Sequence, residues 1–405
     1  MNNIAETYVK LVLAVGNHDA DYVDAYHGPD EWKAEAHQQK KSLEEIHNSA
    51  MRTLELLVEF DSPSMNEPEN LRHQYLTKQI KSLMARVEML EGKKFTFDEE
   101  STALYDAVAP TYSEDHFKSI LKELGTTLPG NGSVQERYEA FKSEFIIPQE
   151  RLDFVFKAAI EECRAKTKRH IDLPANESFV IEYVTNKAWS GYNWYKGNNH
   201  SLIQMNTDLP IYIDRAVDLA AHEGYPGHHV YNALLEQNLL KKNGWMEFSI
   251  YALFSPQSLI AEGTANFGID VVFTPDERIA FERNVLFPLA GCDSSMVELY
   301  YSVHSLFMKL AYAGNEAARG YLDGKLSKEQ AIQWLVDYAL FSRDRATQRI
   351  KFFDAYRSYV INYNLGQDMV KRYIEARGGT SENPSKRWEE FRKLISSPRL
   401  PSSLR

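Results

Sequence analysis

The chain has 405 residues, 43% hydrophobic and 25% charged, the balance of a globular protein rather than of a disordered or fibrous one. Its 46 basic and 57 acidic side chains leave a net charge of −11, which argues against nucleic acid or an anionic membrane as partner, since both recruit a basic surplus. Two distant cysteines, Cys163 and Cys292, exclude a disulfide framework and a cysteine-built zinc site.

The N-terminus, Met1-Asn2-Asn3-Ile4-Ala5-Glu6, lacks the basic start and apolar core of a signal peptide. No run of about 18 apolar residues predicts a membrane span, so the expected location is the cytoplasm. Residues 1–175 read as a helical N-terminal region. Leu43, Ile46, Ala50, Leu54 and Leu57 form one apolar stripe, and Leu76, Ile80, Leu83, Val87 and Leu90 form another. Turn-rich breaks fall at Asp61-Ser62-Pro63-Ser64 and Leu128-Pro129-Gly130-Asn131-Gly132. Thr96 with Glu99, and Ser113 before an acidic turn, mark helix starts. Cys163 shares an apolar face with Leu152, Val155 and Ala159, which predicts a packed thiol.

Residues 176–376 form a second region. Phe179 to Val184 is β-prone, and Tyr192 to Tyr195 and Ser201 to Met205 flank a turn-rich Lys196-Gly197-Asn198-Asn199, as in a hairpin. Helical patterning returns after Leu209-Pro210, with capping boxes at Thr274/Glu277 and Ser327/Gln330. Residues 377–405, with Pro384, Pro398 and Pro401, are expected to be an irregular arm. The fold class expected is mainly α with a small antiparallel β-sheet.

One stretch carries chemistry: Ala221-His222-Glu223-Gly224-Tyr225-Pro226-Gly227-His228-His229. The zinc-peptidase arrangement is His-Glu-x-x-His, with two histidines four apart on one helix face and the glutamate as base. Here the second histidine comes late. In an unbroken helix His229 returns to the face of His222 but about 10 Å further along, too far to share one ion. Pro226 breaks a helix interior and Gly227 accepts unusual backbone. A bulge adding two residues lets position +6 replace +4, which selects His222 and His228 as ligands. A histidine-rich helix end without metal is the alternative.

A catalytic zinc needs a third protein ligand and an open position for water. Glu262, alone in the apolar helical run Leu259-Ile260-Ala261-Glu262-Gly263-Thr264-Ala265-Asn266-Phe267, needs a partner for its charge; a surface glutamate is the bland reading. Asn266, on the same face, is a candidate for orienting a ligand. Asp218, four residues before His222, either bonds a ligand imidazole or is a solvated acid. Trp189, Tyr192, Trp194 and Tyr195 either line a groove or pack the hairpin. His200 and His304 read as structural.

His222, Glu223, Pro226, Gly227 and His228, followed by Glu262, Gly263 and Ala265, resemble the motifs of the uncharacterised family DUF885, a zincin-type metallopeptidase grouping distantly like the Taq-type carboxypeptidases. Tyr363-Asn364-Leu365-Gly366 resembles a Tyr-x-x-Gly segment of that family. The likeness covers roughly residues 180–370. It implies a zincin-like, mostly helical body with a small sheet beside the metal helix.

The expected function is therefore a zinc-dependent hydrolase of a peptide or small amide. His222, His228 and Glu262 hold the metal, and Glu223 acts as general base. In Arg357-Ser358-Tyr359-Val360-Ile361-Asn362-Tyr363, Tyr363 is the chosen oxyanion donor and Arg357 a candidate for a substrate carboxylate. A non-catalytic helical binding or scaffold protein that keeps the zincin shell is the rival.

Overall fold

The computed structural model describes residues 1–60, 65–187 and 189–404. The break expected at Asp61-Ser62-Pro63-Ser64 lies outside the described residues.

Helices dominate, and the stripes explain how they pack. Helix Leu43–Phe60 buries Ile46, Ala50 and Leu57, and helix Glu67–Leu90 buries Leu76, Ile80, Leu83 and Val87. The N-terminal helix Asn2–Val15 packs against both, burying apolar residues on nearly every side. Helix starts fall at the expected caps. The side chains of Thr96, Thr274 and Ser327 each accept from the backbone N–H three residues on, while Ser113 caps without such a bond. Cys163 is fully buried, and burial pushes its thiol pKa up.

Among the described residues there are five strands, β1 (Val23–Tyr26), β2 (Ser178–Val184), β3 (Gly191–Gly197), β4 (His200–Asn206) and β5 (Ile250–Ala252). β3 and β4 form the expected antiparallel hairpin, turning through left-handed Gly197, Asn198 and Asn199. β2 runs parallel to β4, Ser178 opposite His200 and Val184 opposite Asn206, so this three-stranded sheet is mixed. A separate antiparallel pair joins β1 to β5, with Tyr26 opposite Ile250. β1 corrects the reading of residues 1–175 as a helical region. Four residues are too few for a periodic signal, and the partner strand comes from the far side of the sequence.

The tail is a second correction. Residues 384–395 form helix Pro384–Ile395, burying Trp388, Phe391, Leu394 and Ile395. Asn383 caps it and accepts from Lys386 N, with Pro384 at the first helical position, where a missing N–H costs nothing. A proline read as a breaker is here a start signal. One apolar core runs from Ile4 to Leu404, through all three sequence regions. Among the described residues no helix is long and apolar enough to cross a membrane.

Candidate metal centre

Helix Asp214–Leu219 does not end cleanly. It runs into a widened turn in which Tyr225 N donates to Ala220 O at 3.0 Å and Gly227 N to Ala221 O at 2.9 Å. These bonds span five and six residues instead of four, so the turn absorbs the extra residues before helix His228–Leu235 begins. Gly227 has φ −75°, so its role is not to adopt left-handed backbone. A Cβ there would fall on the carbonyl oxygens of Ala221 and His222, and only glycine allows that approach.

The turn brings the His228 and His222 Nε2 atoms to 3.1 Å, and Glu262 Oε2 lies 3.2 Å from the first-motif His222 Nε2 and 3.6 Å from that of His228. Donor atoms about 2.0–2.1 Å from one tetrahedral zinc are about 3.3–3.4 Å apart, and the three observed edges bracket that spacing. His229 points away, its Nδ1 2.8 Å from Ser201 Oγ and its Nε2 3.1 Å from Glu177 Oε2.

The surrounding hydrogen bonds decide which atoms carry protons. Asn266 Nδ2 donates to the Tyr363 carbonyl at 2.9 Å, which can only accept. Asn266 Oδ1 must therefore accept from His222 Nδ1, 2.9 Å away, leaving a lone pair on the Nε2 of neutral His222. Glu262 Oε1 accepts from the Tyr359 hydroxyl at 2.8 Å, while its Oε2 is buried without a hydrogen-bond partner among the described residues. Lone pairs thus face one another and call for a proton or a cation. Burial acts to lower the His228 pKa, but the carboxylate of Glu262 overrides it and holds the group up at about 9. Burial likewise acts to raise Glu262, and the two imidazoles pull it well below the carboxylate range. The donor set therefore suits a cation.

Glu262 is set by the packing of helix Pro256–Val272 on helix Ile361–Glu375. A Cβ on Gly366 would lie 2.7 Å from Leu259 O and 2.9 Å from Gly263 Cα, and one on Gly263 would overlap the Gly366 backbone. This pair of glycines lets the helices touch at backbone distance. It gives the Glu-Gly and Tyr-x-x-Gly segments one shared physical role.

Glu223 is buried against β3, where a Cβ on Gly191 would meet its Oε1 at 2.8 Å, and its backbone oxygen accepts from Asn193 at 2.7 Å. Glu223, Tyr363 and the three-donor cluster line one cleft of about 1670 Å³. The Tyr363 ring lies 5.8 Å from that of Tyr359; both line the cleft, and the Tyr359 hydroxyl is committed to Glu262. Trp189 and Tyr192 also line it, whereas Trp194 bonds Gln204 across the hairpin and Tyr195 bonds Glu236 on the helical segment that packs against it. His200 bonds Ser178.

Three candidates are corrected or added. Among the described residues Asp218 bonds no imidazole, and it is not a solvated acid; it pairs with Arg278 at 2.8 Å. Arg357 pairs with Glu100 at 2.6 Å and is not available to a substrate carboxylate. Asp24, on β1, is a site residue that sequence reasoning misses: it accepts from the Tyr192 hydroxyl and lines the cleft, and burial pushes its pKa up to about 6. A second cluster, Asp214, Asp218 and His304, already holds cations, since Lys142 lies 3.0 Å from Asp214 and Arg278 serves Asp218.

No family model and no curated protein matches the chain. Among solved structures, a putative lipoprotein from Colwellia psychrerythraea aligns at 16% identity over 92% of this chain and 70% of its own, with TM-score 0.52. The structure named BsuCP aligns at 12% identity over 98% of this chain and 88% of its own, with TM-score 0.50. At such identities the likeness is one of fold, and it extends along nearly the whole chain.

Proposed function

We propose that the chain is a zinc-dependent hydrolase of peptide or amide bonds, with a zincin-like site of the DUF885 kind. The observation that carries this reading is the convergence of His222 Nε2, His228 Nε2 and the buried Glu262 Oε2 beside Glu223, in a cleft large enough for a peptide. His222, His228 and Glu262 would hold the ion. When bound, zinc supplies a Lewis acid that polarises a carbonyl and lowers the pKa of a water toward about 7.

The remaining work falls to the chain's own groups. Glu223, next in sequence to a ligand and seated on the Gly191 backbone, accepts the proton of the attacking water and passes one to the leaving nitrogen. Asn266 keeps the proton of His222 on Nδ1 and so orients the ring. Tyr359 fixes the Glu262 carboxylate through Oε1. Tyr363 offers its hydroxyl to the developing oxyanion from the opposite helix. Trp189 and Tyr192 supply an aromatic wall for an apolar side chain.

The test compares wild type with Glu223→Gln on a broad peptide and amide library. The variant should keep its zinc and lose nearly all turnover. A zinc-loaded wild type that cleaves nothing would overturn the reading in favour of a binding protein.

A further inference from the structure

Most cationic side chains around the cleft are already committed. Lys142 pairs with Asp214, Arg278 with Asp218 and Glu282, and Lys309 with Glu123, while Arg387 donates to the Gly379 and Asp270 carbonyls. Arg345 and Arg349 differ. They stand one turn apart on helix Arg343–Tyr356, and both line the cleft. Among the described residues neither guanidinium has an ion-pair or hydrogen-bond partner; each rests only on aromatic rings. Arg345 lies 4.3 Å from the Phe341 ring centroid, and Arg349 lies 4.6 Å from that of Phe352 and 5.6 Å from that of Phe353.

Stacking of this kind holds the plane of a guanidinium and leaves its N–H edge free for a planar anion. Arg349 is half-buried, and loss of solvent draws its pKa down only to about 10, so it stays charged at neutral pH. Its position relative to the metal centre follows from the rings. Phe352, on which Arg349 rests, lies 6.2 Å from Tyr363 and 6.5 Å from Tyr359, whose hydroxyl holds Glu262. An unpaired, preoriented cation thus stands one ring beyond the proposed oxyanion donor.

The geometry points to a carboxylate subsite built by Arg349 with Arg345 behind it, so that the substrates are short peptides or acyl amino acids carrying a carboxylate near the scissile bond. This rests on the hydrolase reading for the bond that is cut, but the anchor itself is made by the chain's own arginines. The carboxylate can be the C-terminal one or that of an acidic side chain. Both present the same fork to a guanidinium.

Three probes separate the sources: N-acetyl-alanyl-phenylalanine, its C-terminal amide, and N-acetyl-aspartyl-phenylalanine amide. Titration calorimetry on full-length, zinc-loaded Glu223→Gln protein measures binding without consuming the probe. A charge-assisted bond of this kind gives about 10–100-fold tighter binding of a carboxylate probe than of the neutral amide. Preference for the free acid assigns the subsite to a C-terminus, and preference for the aspartyl amide assigns it to an acidic side chain. Adding Arg349→Gln should bring the preference to within about twofold, with zinc content and melting temperature unchanged, and Arg349→Lys should restore only part of it.

Equal binding of all three probes, or a preference that survives Arg349→Gln, would overturn the subsite. Wild-type turnover is read separately. Cleavage of neutral and acidic probes with equal KM would remove the anchor and leave the hydrolase. Acid-selective binding with no turnover would remove the hydrolase and leave the anchor.

Discussion

Replacement of Asn266 tests the proton assignment at the centre of the site. Asn266 joins two groups, accepting from His222 Nδ1 at 2.9 Å and donating to Tyr363 O at 2.9 Å. In Asn266→Ala the His222 N–H loses its acceptor, the ring can rotate or change tautomer, and the Nε2 lone pair is no longer directed at the cluster. Loss of such an outer partner typically lowers metal affinity about 10–100-fold, or about 1.4–2.7 kcal/mol. Asn266→Asp separates the two roles. Its carboxylate still accepts from His222 Nδ1, so zinc affinity should stay near wild type, but it cannot donate to the Tyr363 carbonyl. That leaves an unpaired acceptor and a repulsion, together about 1–3 kcal/mol of folding stability. Zinc affinity is measured by competition with a chromophoric chelator, and stability by urea denaturation of the metal-free protein. Equal zinc affinity for Asn266→Ala and wild type, or a larger loss for Asn266→Asp than for Asn266→Ala, would refute the tautomer argument.

Four further outcomes are expected. His228→Ala should abolish zinc retention measured by atomic emission, while His229→Ala should keep the zinc and lose stability, because Glu177 and Ser201 lose a buried partner; the reverse pattern would show that the turn presents the other ring. Gly366→Ala places a methyl 2.7 Å from Leu259 O, closer than ordinary contact, so the helices must separate at a cost of about 1–3 kcal/mol in urea denaturation, with weaker zinc binding; a fully stable variant would deny the glycine contact its role. Tyr363→Phe should lower turnover about 10²–10³-fold at unchanged zinc content, and wild-type turnover would remove Tyr363 from the mechanism. In metal-free protein, the folded His228 pKa of about 9 lies above the unfolded value of about 6.5, so its stabilisation is full below pH ~6.5 and is lost as pH rises through 9. Glu262 works in the opposite sense, its contribution present above pH ~4.3 and lost as pH falls toward its depressed folded value. Melting temperature should therefore drop between pH 6.5 and 9.5 in chelator and much less in zinc, and parallel profiles would contradict the assignment.

What the sequence reveals here is what short-range pattern controls. The apolar stripes of helices Leu43–Phe60 and Glu67–Leu90, the caps at Thr96, Thr274 and Ser327, and the β3–β4 hairpin all follow from neighbours within a few residues. The separation of His228 from His229 is also local, because Pro226 and Gly227 widen one turn. The misreadings share a different cause. Arg357 looks available until Glu100 arrives from another helix, and Asp218 looks solvated until Arg278 packs over it. Asp24 sits on a four-residue strand whose partner is β5, so nothing near it in sequence marks it as part of the site. Arg345 and Arg349 look like any exposed pair on a helix, and only the fold shows that they lack acidic partners among the described residues. The helix Pro384–Ile395 is the exception. Its Asn383-Pro384 start is a local signal, but the proline density of the tail points to an irregular arm instead.

The proposed chemistry requires that His222, His228 and Glu262 bind one zinc. Metal analysis of untagged protein purified without chelator, supported by zinc-edge X-ray absorption, tests this most directly. About one zinc per chain is expected, with two imidazole nitrogens and a carboxylate oxygen at about 2.0–2.1 Å. Zinc should vanish from both His222→Ala and Glu262→Ala. Substoichiometric metal that added zinc does not restore, or full zinc retained by those variants, would contradict it.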